Sequence, residues 1–155
     1  MKTQTLPSTE LLLCNEVEIH YKRPIVSSMK HVTKAQDAVD LIRSCYTDSL
    51  DVKEYFWLIL LNTANRALGI STVGVGLVNC CPVNVKEVMQ IALLAHATGI
   101  ILAHNHPSGN LKFSESDIAI TKKFKAAGEN LDIKVLDHII ITESNYFSFA
   151  DENIL

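Results

Sequence analysis

Hydrophobic and polar residues follow two kinds of pattern along this chain, one typical of strands and one typical of helices. Val17, Ile19 and Tyr21 alternate with polar neighbours, and this period of two predicts a strand with one buried face. Residues 55–61 form an uninterrupted apolar run of seven residues, which is too short for a helix. We therefore expect a strand that is buried on both faces and central in a sheet.

Three helices are expected between further strands. The first begins at Thr33, with Gln36 as the partner of a capping box, and ends near Ser49. Its apolar stripe consists of Ala35, Val39, Ile42 and Tyr46. The second begins at Asn84 with Glu87 in the same relation, runs through Ala97 and ends at Gly99, and the third runs from Ser114 to about Gly128.

The remaining apolar segments predict strands at residues 67–78, 99–103, 133–142 and 146–149. Gly69, Gly74 and Gly76 in the first of these indicate bulges or a close backbone approach, where a peptide could lie. Strands that are interleaved with three helices indicate a single α/β domain. The length of 155 residues and the hydrophobic content of 48% fit one domain with a core and exclude a disordered chain.

The charge and the cysteine content limit the cellular compartment and the binding partners that we expect. A net charge of -3 lacks the basic footprint of a dedicated nucleic-acid binder, although a local basic patch stays open. No apolar run approaches the roughly 18 residues of a membrane span, so no membrane partner is expected. The four cysteines show no CxxC spacing, which predicts reduced and mostly buried thiols in a cytoplasmic protein: Cys14, Cys45, Cys80 and Cys81.

A group of metal-binding residue types follows the strand at 99–103. His104 and His106 are two residues apart, so both imidazoles can point to one side at the end of an extended strand. Asp117 lies in the first turn of the helix that Ser114 caps, and its carboxylate can face the histidines. Two imidazoles and one carboxylate suit an ion of the zinc type with an open fourth position, which is typical of catalytic sites.

Hydrolysis at such a site needs a base, and Glu54 is the last charged residue before the apolar run at 55–61. Each residue also has an ordinary structural explanation at this point. Ser114 can be only a helix cap, Asp117 can complement the helix dipole, and Glu54 can be a solvated charge.

Other polar residues leave alternatives open. Asp137 and His138, in the apolar strand at 133–142, either orient a metal ligand or form a hydrogen-bonded polar pair. His20, His31 and His96 have no partner pattern and are expected to be structural or exposed.

The spacing His104-x-His106, seven residues, Ser114, two residues, Asp117 resembles the JAMM (MPN+) metalloprotease motif. The chain is most similar to RadC-like proteins, over residues 34–155, through the segments 54–56, 103–109 and 136–140. This resemblance implies an MPN-type α/β fold, with a central mixed sheet flanked by helices in a cytidine-deaminase-like layering. It divides the chain into an N-terminal arm and strand, 1–32, and a RadC-like JAMM/MPN domain, 33–155.

The resemblance also implies the chemistry. His104, His106 and Asp117 would be ligands of Zn²⁺, Glu54 the general acid/base, and Ser114 a hydrogen-bond donor to the developing oxyanion. The reaction would be hydrolysis of a peptide or isopeptide bond in a protein or peptide substrate. Asn105 replaces the Ser or Thr of eukaryotic deubiquitinating members, and the strand after Glu54 lacks their glycines, which argues against a ubiquitin-type substrate.

An alternative function belongs to a different class. Full-length RadC proteins carry an N-terminal helix-hairpin-helix module associated with DNA, and no Gly-centred hairpin precedes Glu54 here. We therefore expect a short form of the RadC-like proteins that contains only the catalytic domain. A role of this form in DNA repair has little support from the sequence. The alternative is an MPN-fold accessory or interaction module in DNA repair or mobile-element DNA metabolism, without peptidase activity.

Overall fold

The computed structural model describes residues 29–46, 50–76 and 83–155, which form three helices and one five-stranded sheet. The elements in chain order are α1 (Ala35–Cys45), β1 (Tyr55–Leu61), β2 (Ala67–Val75), α2 (Val85–Leu94), β3 (Gly99–Asn105), α3 (Glu115–Glu129), β4 (Lys134–Ile141) and β5 (Tyr146–Ser148). The strand predicted at residues 17–21, His20, and Cys14, Cys80 and Cys81 lie outside the described residues.

The sheet is mixed, as predicted, and its strands lie in the order β2-β1-β3-β4-β5. β3 is the middle strand; it pairs antiparallel with β1 and parallel with β4. All seven residues of β3 are buried. Because β3 is held by a neighbour on each side, the residues at its end have a rigid support.

Each face of the sheet has its own hydrophobic core, which gives the predicted α/β fold three layers. Helix α1 covers one face, and α2 and α3 cover the other. Side chains of β1 alternate between the two cores, with Trp57 and Ile59 on the α1 face and Leu58 and Leu60 on the opposite face. Burial of one such side chain stabilises the fold by about 1.5–3 kcal/mol, so β1 contributes to both layers.

The N-terminus of α1 differs from the predicted one. The N-cap is Lys34, and the third helical residue is therefore Asp37. Its carboxylate accepts hydrogen bonds from the backbone N–H groups of Thr33, at 2.8 Å, and Lys34, at 3.2 Å. Gln36 instead donates to Asp40 at 2.7 Å. The predicted pairing of Thr33 with Gln36 is wrong because the cap lies one residue later.

The helices also end earlier than predicted. α1 ends at Cys45, with Tyr46 as its C-cap, and Cys45 is exposed rather than buried. α2 ends at Leu94 because His96 adopts a left-handed conformation, with φ of 52°. The N–H of Ala97 then donates to the carbonyl oxygen of Ala92 at 2.9 Å, which closes the helix. The expected extension of α2 to Ala97 is wrong, since His96 takes the place predicted for Gly99.

The other predictions of secondary structure are confirmed with small shifts at the ends of the elements. Of the strand predicted at 67–78, β2 ends at Val75, before Gly76, and residues 77 and 78 lie outside the described residues. Ser114 caps α3, and β3 runs two residues beyond its predicted end, through His104 and Asn105. The register of β1 with β2 shifts next to Gly74 and next to Gly69, as expected for bulges. His31 and His96 are exposed. Among the described residues, no helix has the length and apolar character that crossing a bilayer requires.

Gly128 allows the close approach that ends α3, and its replacement generates a first prediction. A Cβ atom at Gly128 would collide with the carbonyl oxygen of Ile133, whose N–H donates to the carbonyl oxygen of Gly128 at 2.9 Å. We expect Gly128→Ala to lower the free energy of unfolding by about 1–3 kcal/mol, although alanine favours helices. Urea denaturation followed by circular dichroism measures this change.

Gly69→Ala is the matched control, because a Cβ atom at Gly69 would have no neighbour within 4 Å. This variant should be about as stable as the wild type or slightly more stable. Equal stability of Gly128→Ala and wild type would contradict the close approach at the end of α3.

Candidate metal centre

The carboxyl end of β3 brings together the three residues that the sequence predicts as metal ligands. His104 belongs to β3 and His106 follows it directly, and their Nε2 atoms lie 3.0 Å apart. The Oδ1 atom of Asp117 lies 3.3 Å from Nε2 of His104. One ligand atom from each of the three residues lies within 4.8 Å of the others. Their role as ligands stays a prediction.

Asp117 is held by the cap of α3. Its Oδ2 atom accepts hydrogen bonds from the backbone N–H and the hydroxyl of Ser114, both at 2.7 Å, and its own N–H donates to Oγ of Ser114 at 3.2 Å. Oδ2 is thus used by the cap, and Oδ1 is left to face His104. Ser114 therefore orients Asp117, while its predicted role toward an oxyanion stays a prediction.

A backbone carbonyl fixes the proton on His106. Nδ1 of His106 lies 2.7 Å from the carbonyl oxygen of Asn110. Because a carbonyl oxygen can only accept, Nδ1 carries the hydrogen and donates it. In the neutral ring, Nε2 then has a free lone pair, and this lone pair lies on the side of His104.

Two of the three separations among these atoms fit a tetrahedral ion of the zinc type, while the whole set extends over up to 4.8 Å. Two ligands that are each about 2.0–2.1 Å from a tetrahedral ion lie roughly 3.3–3.4 Å apart. The two separations from Nε2 of His104, 3.0 Å to His106 and 3.3 Å to Asp117, are close to this value. Two imidazole nitrogens and one carboxylate oxygen are also a common donor set of zinc enzymes.

Burial and neighbouring charges set the protonation states that metal binding requires. Burial lowers the pKa of His104 to about 4, against the opposing effect of Asp117. Burial would raise the pKa of Asp117, but His104 and the hydrogen bonds from Ser114 outweigh it, so the pKa is lowered. At neutral pH the buried imidazole is neutral and the carboxylate is ionised, which is the state of the ligands that binds a metal.

Glu54 lies beside this group. Phe56 pairs with His104 in the antiparallel register of β1 and β3, and continuing that register places Glu54 next to His106. The carboxyl group is half-buried, and this burial raises its pKa; His106 lowers the pKa and Asp117 raises it. The structure therefore places the predicted base within electrostatic reach of both residues.

Asn105 holds the segment that carries Glu54. Its side chain points to the opposite face from the two histidines and is fully buried. Nδ2 donates to the carbonyl oxygens of Leu50, at 2.6 Å, and Lys53, at 2.7 Å, and Oδ1 accepts from the N–H of Tyr55 at 2.6 Å. The residue between the histidines thus fixes the start of β1.

Two further residues, His138 and Thr121, lie on the buried side of this group. Their sequence pattern does not distinguish them from ordinary structural residues. His138 lies on the same face as His104, with Nε2 of His138 2.9 Å from Nδ1 of His104. Thr121, which sequence reasoning missed, lies 2.6 Å from Nδ1 of His138. Its spacing of four residues from Asp117 is the one signal that it shares a helical face with a candidate ligand.

Asp137 points the other way and does not contact the group. Its carboxylate accepts hydrogen bonds from the hydroxyl of Ser148, at 2.6 Å, and the N–H of Ala150, at 3.0 Å. Burial raises its pKa, against the lowering effect of these hydrogen bonds. Of the two alternatives for the pair, ligand contact applies to His138 and structural hydrogen bonding to Asp137.

Comparison with known proteins gives one family and a consistent set of relatives. Residues 32–154 match the family described as the RadC-like JAB domain. A UPF0758 protein of Flavobacterium johnsoniae is 41% identical over 83% of this chain and 56% of its own length. A UPF0758 protein of Pasteurella multocida is 34% identical over 94% of this chain and 64% of its own length. The chain thus spans between 56% and 64% of the length of these relatives.

Removal of the Asn105 amide tests how Glu54 is held. Asn105→Ala leaves the carbonyls of Leu50 and Lys53 and the N–H of Tyr55 without these partners. Since these three hydrogen bonds are partly buried and each such bond contributes about 0.5–1.5 kcal/mol, we expect a clear loss of unfolding free energy. We also expect faster amide hydrogen exchange at Tyr55, measured by NMR.

Asn130→Ala serves as the control, because this exposed amide donates only locally, to the carbonyl oxygen of Ala126. It should leave exchange at Tyr55 unchanged. An unchanged exchange rate at Tyr55 in Asn105→Ala would show that the amide does not hold this segment.

Proposed function

The chain belongs to the RadC-like JAB domain family, and from this premise we propose that it is a zinc-dependent hydrolase of peptide or isopeptide bonds. The observation that carries the proposal is the convergence of His104, His106 and Asp117 on one point. Glu54 is near enough to His106 and Asp117 for their charges to shift its pKa, which supports its role as the proton acceptor. A module that serves only for binding has no need of this base.

Each residue of the candidate centre has a distinct role in the proposed reaction. A bound ion of the zinc type supplies Lewis acidity and makes water a nucleophile near neutral pH. His104, His106 and Asp117 would hold this ion. The Glu54 carboxylate takes a proton from the attacking water and transfers it to the leaving amine. Burial raises the pKa of Glu54, and a raised pKa suits a group that must both accept and return a proton.

The exposure of the centre and the resemblance to JAMM peptidases support a proposed substrate class. His104 is 1% exposed, whereas His106 and Glu54 are half-buried, so the centre faces solvent on one side. We propose a protein or peptide as the substrate, in the cytoplasm. Asn105 and the strand after Glu54 favour a substrate other than a ubiquitin-type protein.

Metal analysis tests the proposed centre. Protein purified without chelator should contain about one zinc ion per chain, since the described part of the chain holds one group of three candidate ligands. His106→Ala and Asp117→Ala should lose most of this zinc, measured by mass spectrometry of the bound metal. Glu115→Ala removes an exposed carboxylate from the same helical turn and should retain the zinc. Wild-type protein without any divalent ion would overturn the proposal.

Replacement of Glu54 tests the base separately from the metal. Glu54→Gln should keep its zinc yet hydrolyse peptide or isopeptide-linked substrates about 10²–10⁴-fold more slowly, the usual contribution of a general base. Glu87→Gln, an exposed position on α2, should hydrolyse them at the wild-type rate. The assignment of Glu54 is wrong if zinc-loaded Glu54→Gln turns over substrate as fast as the wild type.

A further inference from the structure

We propose that Thr121 and His138 are positioning residues that fix the tautomer of His104, so that the lone pair of its Nε2 faces the metal centre. The inference rests on the proposed function, because it concerns a ligand of the same ion. It assigns a task to two buried polar residues that the proposed reaction leaves unused. Thr121 is 3% exposed and His138 is fully buried.

A chain of three short contacts joins α3, β4 and β3. The hydroxyl of Thr121 donates to the backbone carbonyl oxygen of Asp117 at 2.6 Å. Nδ1 of His138 lies 2.6 Å from the same hydroxyl oxygen. Nε2 of His138 lies 2.9 Å from Nδ1 of His104. All three side chains are buried, so these polar atoms depend on one another for hydrogen bonds.

The carbonyl oxygen of Asp117 determines which atom donates in each bond of this hydrogen-bond series. Two oxygen atoms at 2.6 Å need a hydrogen between them, and a carbonyl has none to give. The hydrogen is therefore that of Thr121. Since a hydroxyl has a single hydrogen, the oxygen of Thr121 can only accept from His138. Nδ1 of His138 must be the N–H donor.

The same assignment of donors and acceptors extends to the candidate metal centre. A neutral His138 that carries its hydrogen on Nδ1 has a bare Nε2, which accepts from His104. Nδ1 of His104 is then the donor, and its Nε2 keeps a free lone pair. This lone pair lies 3.0 Å from Nε2 of His106 and 3.3 Å from Oδ1 of Asp117.

The hydrogen-bond series begins and ends at one residue, Asp117. Its first acceptor is the backbone carbonyl of Asp117, and its last atom faces the carboxylate of Asp117. Helix α3 thus supplies a ligand and also sets the protonation of the ligand beside it. Phe56 stacks on the His104 ring with an interplanar angle of 3° and so keeps the plane of the ring fixed.

Thr121→Val and Thr121→Ser form a matched pair that tests the inference. Valine keeps the shape of the side chain but leaves Nδ1 of His138 without an acceptor, so His138 and then His104 can take the opposite tautomer. We expect Thr121→Val to bind zinc about 10- to 100-fold more weakly, the range seen when such partners of a ligand are removed. Thr121→Ser keeps the hydroxyl and should bind zinc as the wild type does, in competition with a chromogenic chelator.

Nuclear magnetic resonance of ¹⁵N-labelled histidine reads the tautomers directly. In wild-type protein, with and without zinc, His138 should carry its hydrogen on Nδ1, and without zinc so should His104. Thr121→Val should show the opposite tautomer or a mixture for both rings. A hydrogen on Nε2 of His138 in the wild type would overturn the inference, and so would equal zinc affinities of Thr121→Val and Thr121→Ser.

A substitution of His138 keeps the test decisive if Thr121→Val is poorly folded. His138→Gln retains an acceptor oxygen toward His104 and should bind zinc more tightly than His138→Leu, which retains none. Failure of the proposed function gives a different result, namely a wild type that binds no zinc. In that case the tautomers of metal-free His104 and His138 still decide whether the hydrogen-bond chain exists.

Discussion

The antiparallel pairing of β1 with β3 determines which residues from two distant parts of the chain meet at the candidate metal centre. Phe56 lies opposite His104, and this register places Glu54 beside His106. A slip of one residue would turn Glu54 to the α1 face, away from the histidines. The two cores on either side of β1 oppose such a slip, because it would exchange their side chains and expose Trp57 to the wrong layer. Packing of the sheet thus fixes the geometry of the centre.

Successive residues at the end of β3 have separate tasks because side chains of a strand alternate between faces. His104 and His106 point to the face of α2 and α3, while Asn105 points to the opposite face and holds the segment before β1. The same alternation divides Asp137 from His138 in β4. Asp137 bonds to Ser148 and Ala150, and His138 bonds to His104. One short stretch of each strand therefore serves both the fold and the centre.

Sequence reasoning predicted the elements well where the pattern was strong and local. The apolar run of β1 and the Ser114 cap of α3 were found because neighbouring residues determine them. The ends of α1 and α2 were misplaced because Lys34 and His96 are not residues whose type indicates a cap. The three predicted ligands share a diagnostic spacing. The contacts of Thr121 and His138 depend on how β4 aligns with β3, and a single sequence does not contain that register.

The parallel stacking of Phe56 on His104 has a consequence for solvent access to the candidate centre. Aromatic rings and the buried imidazole of His138 enclose His104 on the inner side, whereas His106 and the loop that contains Asn110 border the solvent. Among the described residues, the outer side of His106 is therefore the more exposed approach to the two histidines. A molecule that approaches from that side meets the half-buried imidazole of His106 before the buried imidazole of His104, so the different depths of the two rings set the order in which they are reached.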